Sequence, residues 1–288
     1  MCKNNIMLQD IVVLVSPKNK RYVKKIVPQI QIHTADGTFS EEILCNARYG
    51  SIISSPKGVP YMIQKASLYD ILLALKRKTQ IIYPKDIAYI CLRLGIGKDT
   101  TVIEAGSGSG GLTTAFSYLT SGKGHVYTYE MREEFYELTK RNLAWANVGE
   151  NVTQYHRDIQ EGFEQTDADA LFLDVREPWL YLEQVLKAVR PSAMCAFLLP
   201  TTNQVSTLLT YMERYSFIDI EVEEVLIRKW KAIPDRLRPY DRMIAHTSFL
   251  VFARHQHGKE EWEKAQSRGT REHKQYLAKL ARLEEREE

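Results

Sequence analysis

Apolar and amphipathic runs alternate through the middle of the chain, between about residues 65 and 255. Two more apolar runs, near 220–229 and 246–253, predict strands with no helix between them. The alternation of apolar and amphipathic runs is typical of an α/β fold whose mostly parallel sheet carries helices on both faces. Ligands of such sheets bind at the carboxyl ends of the strands. The pattern predicts strands at 101–105, 125–130, 152–156, 169–174 and 194–199, and helices at about 86–94, 111–120, 132–146, 178–189 and 203–215.

The two ends of the chain follow other patterns. Residues 1–64 hold short β-branched runs such as "DIVVLVS", "QIQIHT" and "GSIISS", which turn sequences separate. They predict a small β-rich N-terminal domain ahead of the α/β domain at 65–255. Residues 256–288 form a charged tail, whose thin apolar stripe favours a surface helix or disorder over a core element. The stripe consists of Tyr276, Leu277, Leu280 and Leu283.

Composition excludes several classes of protein. An apolar fraction of 44% is ordinary for a soluble globular chain of 288 residues. The start of the chain predicts a strand rather than a signal peptide, and no apolar run reaches transmembrane length. The cysteines are far apart and form no CxxC pair, so we expect no disulfide framework, no metal site and a cytoplasmic location. They are Cys2, Cys45, Cys91 and Cys195.

The positive charge of the chain is concentrated in two stretches. The net charge is only +3, but residues 1–65 hold nine Lys and Arg against four Asp and Glu. Residues 227–242 hold six against two. Stretches of this kind fit a polyanionic partner, and solvated surface is the alternative explanation.

The stretch "TVIEAGSGSGGLT" (101–113) places four glycines between a strand and a helix. Gly106, Gly108 and Gly111 match the G-x-G-x-x-G pattern of dinucleotide binding. Gly106, Gly108 and Gly110 match the E-x-G-x-G-x-G pattern of S-adenosylmethionine enzymes. Both patterns make a tight turn with backbone N–H groups facing a ligand, so the surrounding carboxylates must decide between them.

Acidic residues stand at the ends of four successive strands. Glu104 is poorly suited to a pyrophosphate but suits a cationic ammonium or sulfonium group. Glu130 can accept both ribose hydroxyls. Asp158 suits the exocyclic amine of an adenine, or alternatively only caps a helix. A dinucleotide site is expected to contain only one such acid, whereas this chain adds Asp174 as a fourth. We therefore expect the cofactor to be S-adenosylmethionine rather than NAD.

Five stretches resemble the tRNA adenine-N1 methyltransferases that modify the T-loop adenine at position 58. The resemblance implies a β-rich N-terminal domain, a Rossmann-like methyltransferase domain, tRNA as partner and a homotetramer, and it covers nearly the whole chain except the tail. The glycine motif is generic, but the first and last stretches are not shared by methyltransferases at large. The stretches are "KRKTQIIYPKDIAYI" (76–90), "VIEAGSGSGGLT" (102–113), "LFLDVREPW" (171–179), "LLPTTNQV" (198–205) and "RPYDRMIAHTSFLVFARH" (238–255).

The resemblance also implies roles for single residues. Glu130 holds the ribose of the cofactor and Asp158 its adenine, while Gln80 lies in a segment that covers it. Asp174 and Tyr83 face the target base. Arg176 departs from the proline or methionine that many relatives carry there. The methionine part of the cofactor is lined by Gly106, Ser107, Gly108 and Ser109.

Methylation of adenine N1 explains why an acid and basic surfaces are needed. N1 already has a lone pair and the product base is cationic, so the Asp174 carboxylate can stabilise the developing charge. The alternative is that Asp174 only binds the amine of the cofactor, and the two roles are compatible. The base must leave its stack to be reached, and Tyr83 either stacks on it or is a packed aromatic before Pro84. We assign no proton role to His246. Phosphate contacts are expected from Lys76, Arg77, Lys78, Arg228, Lys229, Arg236, Arg238 and Arg242.

Two other functions share parts of this pattern. A small-molecule or protein methyltransferase has the same fold and glycine loop, but needs neither the basic stretches nor the N-terminal domain. A non-catalytic tRNA-binding subunit is the second alternative. Such subunits have degraded cofactor motifs, whereas this chain keeps the loop and all four acids.

Overall fold

A computed structural model describes residues 4–78, 81–259 and 261. Its N-terminal part is a four-stranded antiparallel sheet in the order β2-β1-β6-β5, with a separate β3–β4 hairpin. Val12, Leu14, Ile32, Phe39 and Ile63 form a buried core between them. The elements are β1 (Ile11–Val15), β2 (Arg21–Lys25), β3 (Gln31–Thr34), β4 (Gly37–Ser40), α1 (Glu41–Cys45), β5 (Ile52–Ser54) and β6 (Pro60–Lys65).

The remainder of the described chain alternates helices and strands. Three short 3₁₀ helices supplement them at Ile159–Glu161, Pro178–Tyr181 and Pro234–Arg236. The elements are α2 (Leu68–Ala74), α3 (Pro84–Arg93), β7 (Thr101–Ala105), α4 (Gly111–Leu119), β8 (His125–Glu130), α5 (Glu133–Ala146), β9 (Val152–His156), β10 (Ala168–Leu173), α6 (Leu182–Ala188), β11 (Val189–Leu199), α7 (Thr202–Met212), β12 (Phe217–Glu223), β13 (Trp230–Lys231), β14 (Arg238–Pro239) and β15 (Phe249–His255).

A seven-stranded sheet with the order β12-β15-β11-β10-β7-β8-β9 organises this part. The pairs from β11 to β9 are parallel, and only β15 runs antiparallel to its neighbours β11 and β12. Alternate side chains of each strand enter two different cores, as Val102 and Ile103 show. The predicted α/β fold is therefore confirmed. The strand order reverses beside β7, which makes its carboxyl end a crevice for ligands.

Several predicted elements differ from the observed ones. Strand β11 begins at Val189 rather than at 194, and β15 spans Phe249–His255 rather than 246–253. The helix expected at 178–189 is a 3₁₀ turn followed by α6, because Val189 already has extended backbone and pairs with Ala168. The strand expected at 220–229 is β12, which spans Phe217–Glu223 and makes its last pair with Leu250, near the start of β15.

The β12–β15 arm, residues 224–248, replaces the missing end of that strand. Most of its side chains are exposed, and its only regular structure is the short β13–β14 hairpin with one 3₁₀ turn. In the hairpin Trp230 lies opposite Pro239 and Lys231 lies opposite Arg238. Since directly opposed residues share a face, the hairpin has one apolar and one basic face.

The N-terminal sheet is joined to the α/β part by polar contacts. Arg21 of β2 forms an ion pair of 2.7 Å with Asp70 of α2. The Lys25 ammonium donates to the Ala144 carbonyl oxygen of α5 at 2.8 Å. The apolar stripe predicted for the tail lies outside the described residues, as does Gln80. No helix of the described residues is long and apolar enough to cross a membrane.

Candidate active site

A cavity of about 510 Å³ opens at the carboxyl ends of β7, β8 and β10. We call it the switch-point cavity. Its walls include the turn after β7, and the four acids that follow or end successive strands all line it. Those acids are Glu104, Glu130, Asp158 and Asp174.

The turn after β7 depends on glycine at two positions. Gly106 has φ of +85°, and a Cβ atom there would lie 2.1 Å from the Asp174 carbonyl oxygen. Gly110 has φ of +73°, and its Cβ would lie 2.9 Å from the Thr139 side chain. A larger residue at either site would therefore push the turn away from β10 or α5.

Glu130 is held at the wall of the cavity by backbone donors. Its carboxylate accepts hydrogen bonds from the N–H groups of Gly108 and Arg132, each at 3.0 Å. The Glu130 side chain is almost fully buried, and the exposed Arg132 guanidinium lies 3.4 Å away. The carboxylate is thus fixed in position and tied to the glycine turn.

Glu104 is a buried acid behind the turn. One of its oxygens accepts hydrogen bonds from the hydroxyls of Thr113 at 2.5 Å and Thr128 at 2.7 Å. Burial raises the pKa of Glu104 to about 7, and the nearby Asp174 and Glu130 carboxylates add to the shift. The charged form of this acid is therefore unfavourable unless a cation is near.

Asp174 lies directly after β10, where its N–H donates to the Ala105 carbonyl oxygen at 2.9 Å. The pKa of Asp174 is raised to about 6, mainly by burial and also by the Glu130 charge, while Arg132 opposes the shift. Several carboxylates in one buried site favour a cationic ligand, because a cation stabilises the ionised form of each. The donor set thus fits a ligand with ammonium and sulfonium groups.

Asp158 both caps a 3₁₀ helix and lines the switch-point cavity. Its carboxylate accepts a hydrogen bond from the Gln160 N–H at 2.9 Å and so caps the 3₁₀ helix at Ile159–Glu161. This is the helix-cap alternative that the sequence left open. Asp158 nevertheless also lines the switch-point cavity.

Tyr83 lines a different cavity from Asp174. Its side chain borders a second cavity of about 770 Å³ with Tyr240 of the β12–β15 arm, whereas Ile81 and Ile82 line the switch-point cavity. The two residues expected to face the target base therefore border different cavities, and residues 81–85 contribute to the walls of both.

Comparison with known proteins identifies the family. The model of the tRNA methyltransferase complex GCD14 subunit family matches residues 61–241. The chain belongs to this family. The tRNA (adenine(58)-N(1))-methyltransferase TrmI of Thermus thermophilus is 31% identical over 223 residues, which span 77% of this chain and 88% of that protein.

Two solved structures resemble the GCD14-family chain over most of its length. The tRNA (m1A58) methyltransferase TrmI of Aquifex aeolicus has a TM-score of 0.76 and 37% identity, covering 87% of this chain and 98% of its own. An S-adenosylmethionine-dependent O-methyltransferase of Thermotoga maritima has a TM-score of 0.83 and 36% identity, covering 88% and 95%. The fold is thus that of the S-adenosylmethionine-dependent methyltransferases.

The basic residues expected to bind RNA divide into two groups in this family member. Arg77 donates to the Leu73 carbonyl oxygen at 2.7 Å, and Lys78 pairs with Glu134 at 2.9 Å. Lys76 borders a separate cavity beside the N-terminal sheet. The other group lies exposed on the β12–β15 arm and consists of Arg228, Lys229, Arg236, Arg238 and Arg242.

Sequence reasoning missed a polar network that joins α3 to the end of the β12–β15 arm. The Lys85 ammonium donates to the Asp86 carboxylate at 2.7 Å and to the Thr247 hydroxyl at 2.6 Å. Thr247 in turn donates to Asp86 at 3.0 Å. Asp86 and Thr247 are 161 positions apart, so spacing along the chain gave no signal for this contact.

His246 fastens the end of the arm beside that network. Its ring contacts the Glu224 carboxylate at 2.5 Å and the Pro200 carbonyl oxygen at 3.1 Å. The hydrogen bond with Glu224 raises the pKa of His246. Within the described ranges, no group of three or more acidic, histidine or cysteine side chains could hold a metal ion.

Proposed function

We propose that this protein transfers a methyl group from S-adenosylmethionine to N1 of adenine 58 in the T-loop of tRNA. The observation that carries the proposal is the convergence of four acids on one cavity beside the glycine turn, in a chain of the GCD14 family. Relatives in Thermus thermophilus and Aquifex aeolicus carry the names of enzymes for this reaction.

The residues of the switch-point cavity divide the cofactor between them. Glu130 would bind the ribose hydroxyls, and Asp158 the adenine amine through the carboxylate oxygen that does not cap the 3₁₀ helix. Glu104 and the turn would face the methionine part. The turn residues are Gly106, Ser107, Gly108 and Ser109.

Asp174 would stabilise the methylated base. The cofactor supplies the methyl group, and adenine N1 attacks without losing a proton. The Asp174 carboxylate then faces a base that becomes cationic, and it can also accept a hydrogen bond from N6. Tyr83, which borders the second cavity, would stack on or bound the extruded base.

The β12–β15 arm would bind the phosphate backbone of tRNA. Arg236, Arg238 and Arg242 are exposed, and only Arg238 has an acidic neighbour within 4.0 Å among the described residues. We expect their joint replacement by alanine to weaken tRNA binding and to flatten its salt dependence, because fewer counterions are released. Filter binding from low to high salt measures both, and unchanged values would make the arm solvated surface.

We further propose that the protein acts as a homotetramer in the cytoplasm. The arm exposes large apolar side chains, among them Trp230, Ile233 and Leu237, on a hairpin whose opposite face is basic. A second copy of the chain could cover the apolar side while RNA binds the basic side. Free thiols at Cys91 and Cys195 agree with a reducing compartment.

Nucleoside analysis of tRNA by mass spectrometry tests the proposed reaction. The purified protein, S-adenosylmethionine and unmodified tRNA should yield 1-methyladenosine, and a tRNA with guanosine at position 58 should not. A panel of small hydroxyl metabolites tests the O-methyltransferase alternative, which the name of the Thermotoga maritima protein favours. Methylation of those metabolites without any methylation of tRNA would overturn the proposal.

A further inference from the structure

A basic cavity lies where the N-terminal sheet meets the α/β part, apart from the switch-point cavity. Its volume is about 390 Å³. We call it the junction cavity. Strand β2, the segment after α2 and helix α5 each contribute a cation to its wall, namely Lys24, Lys76 and Arg141, and Trp145 of α5 completes it.

The three cations of the junction cavity lack acidic partners. Across residues 4–78 and 81–259, none of Lys24, Lys76 and Arg141 forms an ion pair. Their neighbours Arg21 and Lys78 both do. Positive charges that gather in a concave site without neutralisation attract an anion, and they arrive here from three separate elements.

The side chain of Trp145 indicates a ligand that is more than a simple anion. It is partly buried against the core and borders the cavity. An aromatic wall with Lys and Arg beside it is the combination that binds single-stranded RNA, since a base stacks on the ring while the cations hold phosphates. The volume of the cavity lies within the range of small-ligand sites.

The floor of the junction cavity is fixed to the glycine turn. The buried Asn142 amide donates to the carbonyl oxygens of Lys76 at 2.9 Å and of Ser109 at 2.7 Å. Its own oxygen accepts from the Lys76 N–H at 3.2 Å. One side chain therefore sets the position of Lys76 relative to the switch-point cavity.

We propose that the junction cavity binds one unpaired nucleotide of the tRNA and its phosphates, as a contact separate from the β12–β15 arm. The assignment to tRNA rests on the proposed function. The proposed site adds the N-terminal sheet to the RNA-binding surface through Lys24. In this site Arg141 holds a phosphate and Trp145 stacks on the base.

Charge-matched variants test this site. In the test variant Lys24 and Arg141 are both replaced by alanine, and in the control Lys18 and Lys140 are. All four side chains are exposed, and Lys140 precedes Arg141 on the same helix without bordering the cavity. Binding of unmodified tRNA is measured from low to high salt. Binding of the product S-adenosylhomocysteine to each variant, measured by calorimetry, reports whether the fold is kept.

We expect the test variant to bind tRNA at least tenfold more weakly at low salt. The slope of log Kd against log salt should fall by about 1–2, because two phosphate contacts are lost. The control should stay within twofold, and Trp145→Leu should weaken binding without changing the slope. Equal behaviour of test and control variants, while the unchanged protein methylates tRNA, would overturn the site alone. Failure of the unchanged protein to methylate tRNA would overturn the proposed function and this assignment with it.

Discussion

Glu104 is buried and Asp174 is half-buried, and the environment of each acid raises the pH at which it loses its proton. The pKa of Asp174 is raised to about 6 and that of Glu104 to about 7. Both shifts come mainly from burial, so ionising either acid in the folded chain is costly without a nearby cation. Sites with such costs are typically functional rather than stabilising.

Asp174→Asn should slow methylation even when the cofactor is saturating. Asparagine keeps the shape but removes the charge that would stabilise the cationic base. We expect the single-turnover rate to fall at least tenfold, or about 1.4 kcal/mol, with enzyme in excess over tRNA. The wild-type rate should decline as pH falls through about 6, or lower with the cofactor bound, and the variant should lack this limb. Recovery of the wild-type rate at saturating cofactor would reduce Asp174 to a cofactor ligand.

Glu104→Gln should raise the melting temperature at pH 8 in the absence of cofactor. The folded-state pKa of about 7 exceeds the usual 4.5, so the native acid binds a proton more tightly than the unfolded one. Wild-type stability therefore falls as pH rises from about 4.5 to 7, whereas the neutral amide avoids that loss. Scanning calorimetry at pH 5 and 8 measures the difference in melting temperature between the variant and the wild type. Each kcal/mol in the free energy of unfolding should shift the melting temperature by about 2–4 °C.

The exposed Glu150→Gln serves as control for that comparison, and it should leave the melting temperature unchanged at both pH values. The gap between Glu104→Gln and wild type should narrow at pH 5, where the native acid is protonated. The variant should also bind the cofactor more weakly. A melting temperature at or below wild type at pH 8 would show that Glu104 stabilises the fold in its charged form.

At the scale of elements, the network of Lys85, Asp86 and Thr247 joins α3 to the end of the β12–β15 arm. Asp86 is 1% exposed and Lys85 10%, so the pair is shielded from water. Residues 81–85, which separate the two cavities, are thereby tied to the end of the β12–β15 arm. Movement of the arm on binding RNA would therefore be transmitted to the wall that carries Tyr83.

Asp86→Ala should destabilise the protein strongly, because it leaves the Lys85 ammonium buried with only a hydroxyl partner. Removing one partner of a buried pair costs about 3–5 kcal/mol. Glu183→Ala removes the exposed partner of Lys187 on α6 and should have no measurable effect. Urea unfolding of both variants measures the difference. Equal unfolding midpoints would show that Asp86 is no more important than a surface charge.

The sequence predicted elements well where local periodicity decided the structure. Strands β7, β8 and β9 have the predicted bounds, and the glycine turn and its acids follow from spacing after those strands. It failed where distant contacts decide, as at Glu223, where β12 makes its last pair with β15. The network at Asp86 and the junction cavity also depend on elements far apart in sequence, so no local pattern could reveal them.

For the whole molecule, the apolar face of the β12–β15 arm predicts self-association. We expect the protein to sediment as a tetramer at micromolar concentration, and Trp230→Asp with Leu237→Asp to reduce the mass. The control variant carries Leu92→Asp with Leu180→Asp, which places the same charges on exposed leucines of α3 and the Pro178–Tyr181 turn. We expect this variant to keep the mass of the wild-type protein. A monomeric wild-type protein, or equal masses for both variants, would contradict the role of the arm.

Strand β15 is the last element of the sheet to be synthesised, yet it lies between β11 and β12 in the interior of the sheet. A growing chain can form β7 to β11 early, but β11 keeps an open edge until residues 249–255 emerge. Such an edge can pair with other chains, so the nascent protein is most prone to aggregate just before those residues appear. Insertion of this strand, which also brings Thr247 to Asp86, would complete the sheet and the wall beside Tyr83 in one late folding step.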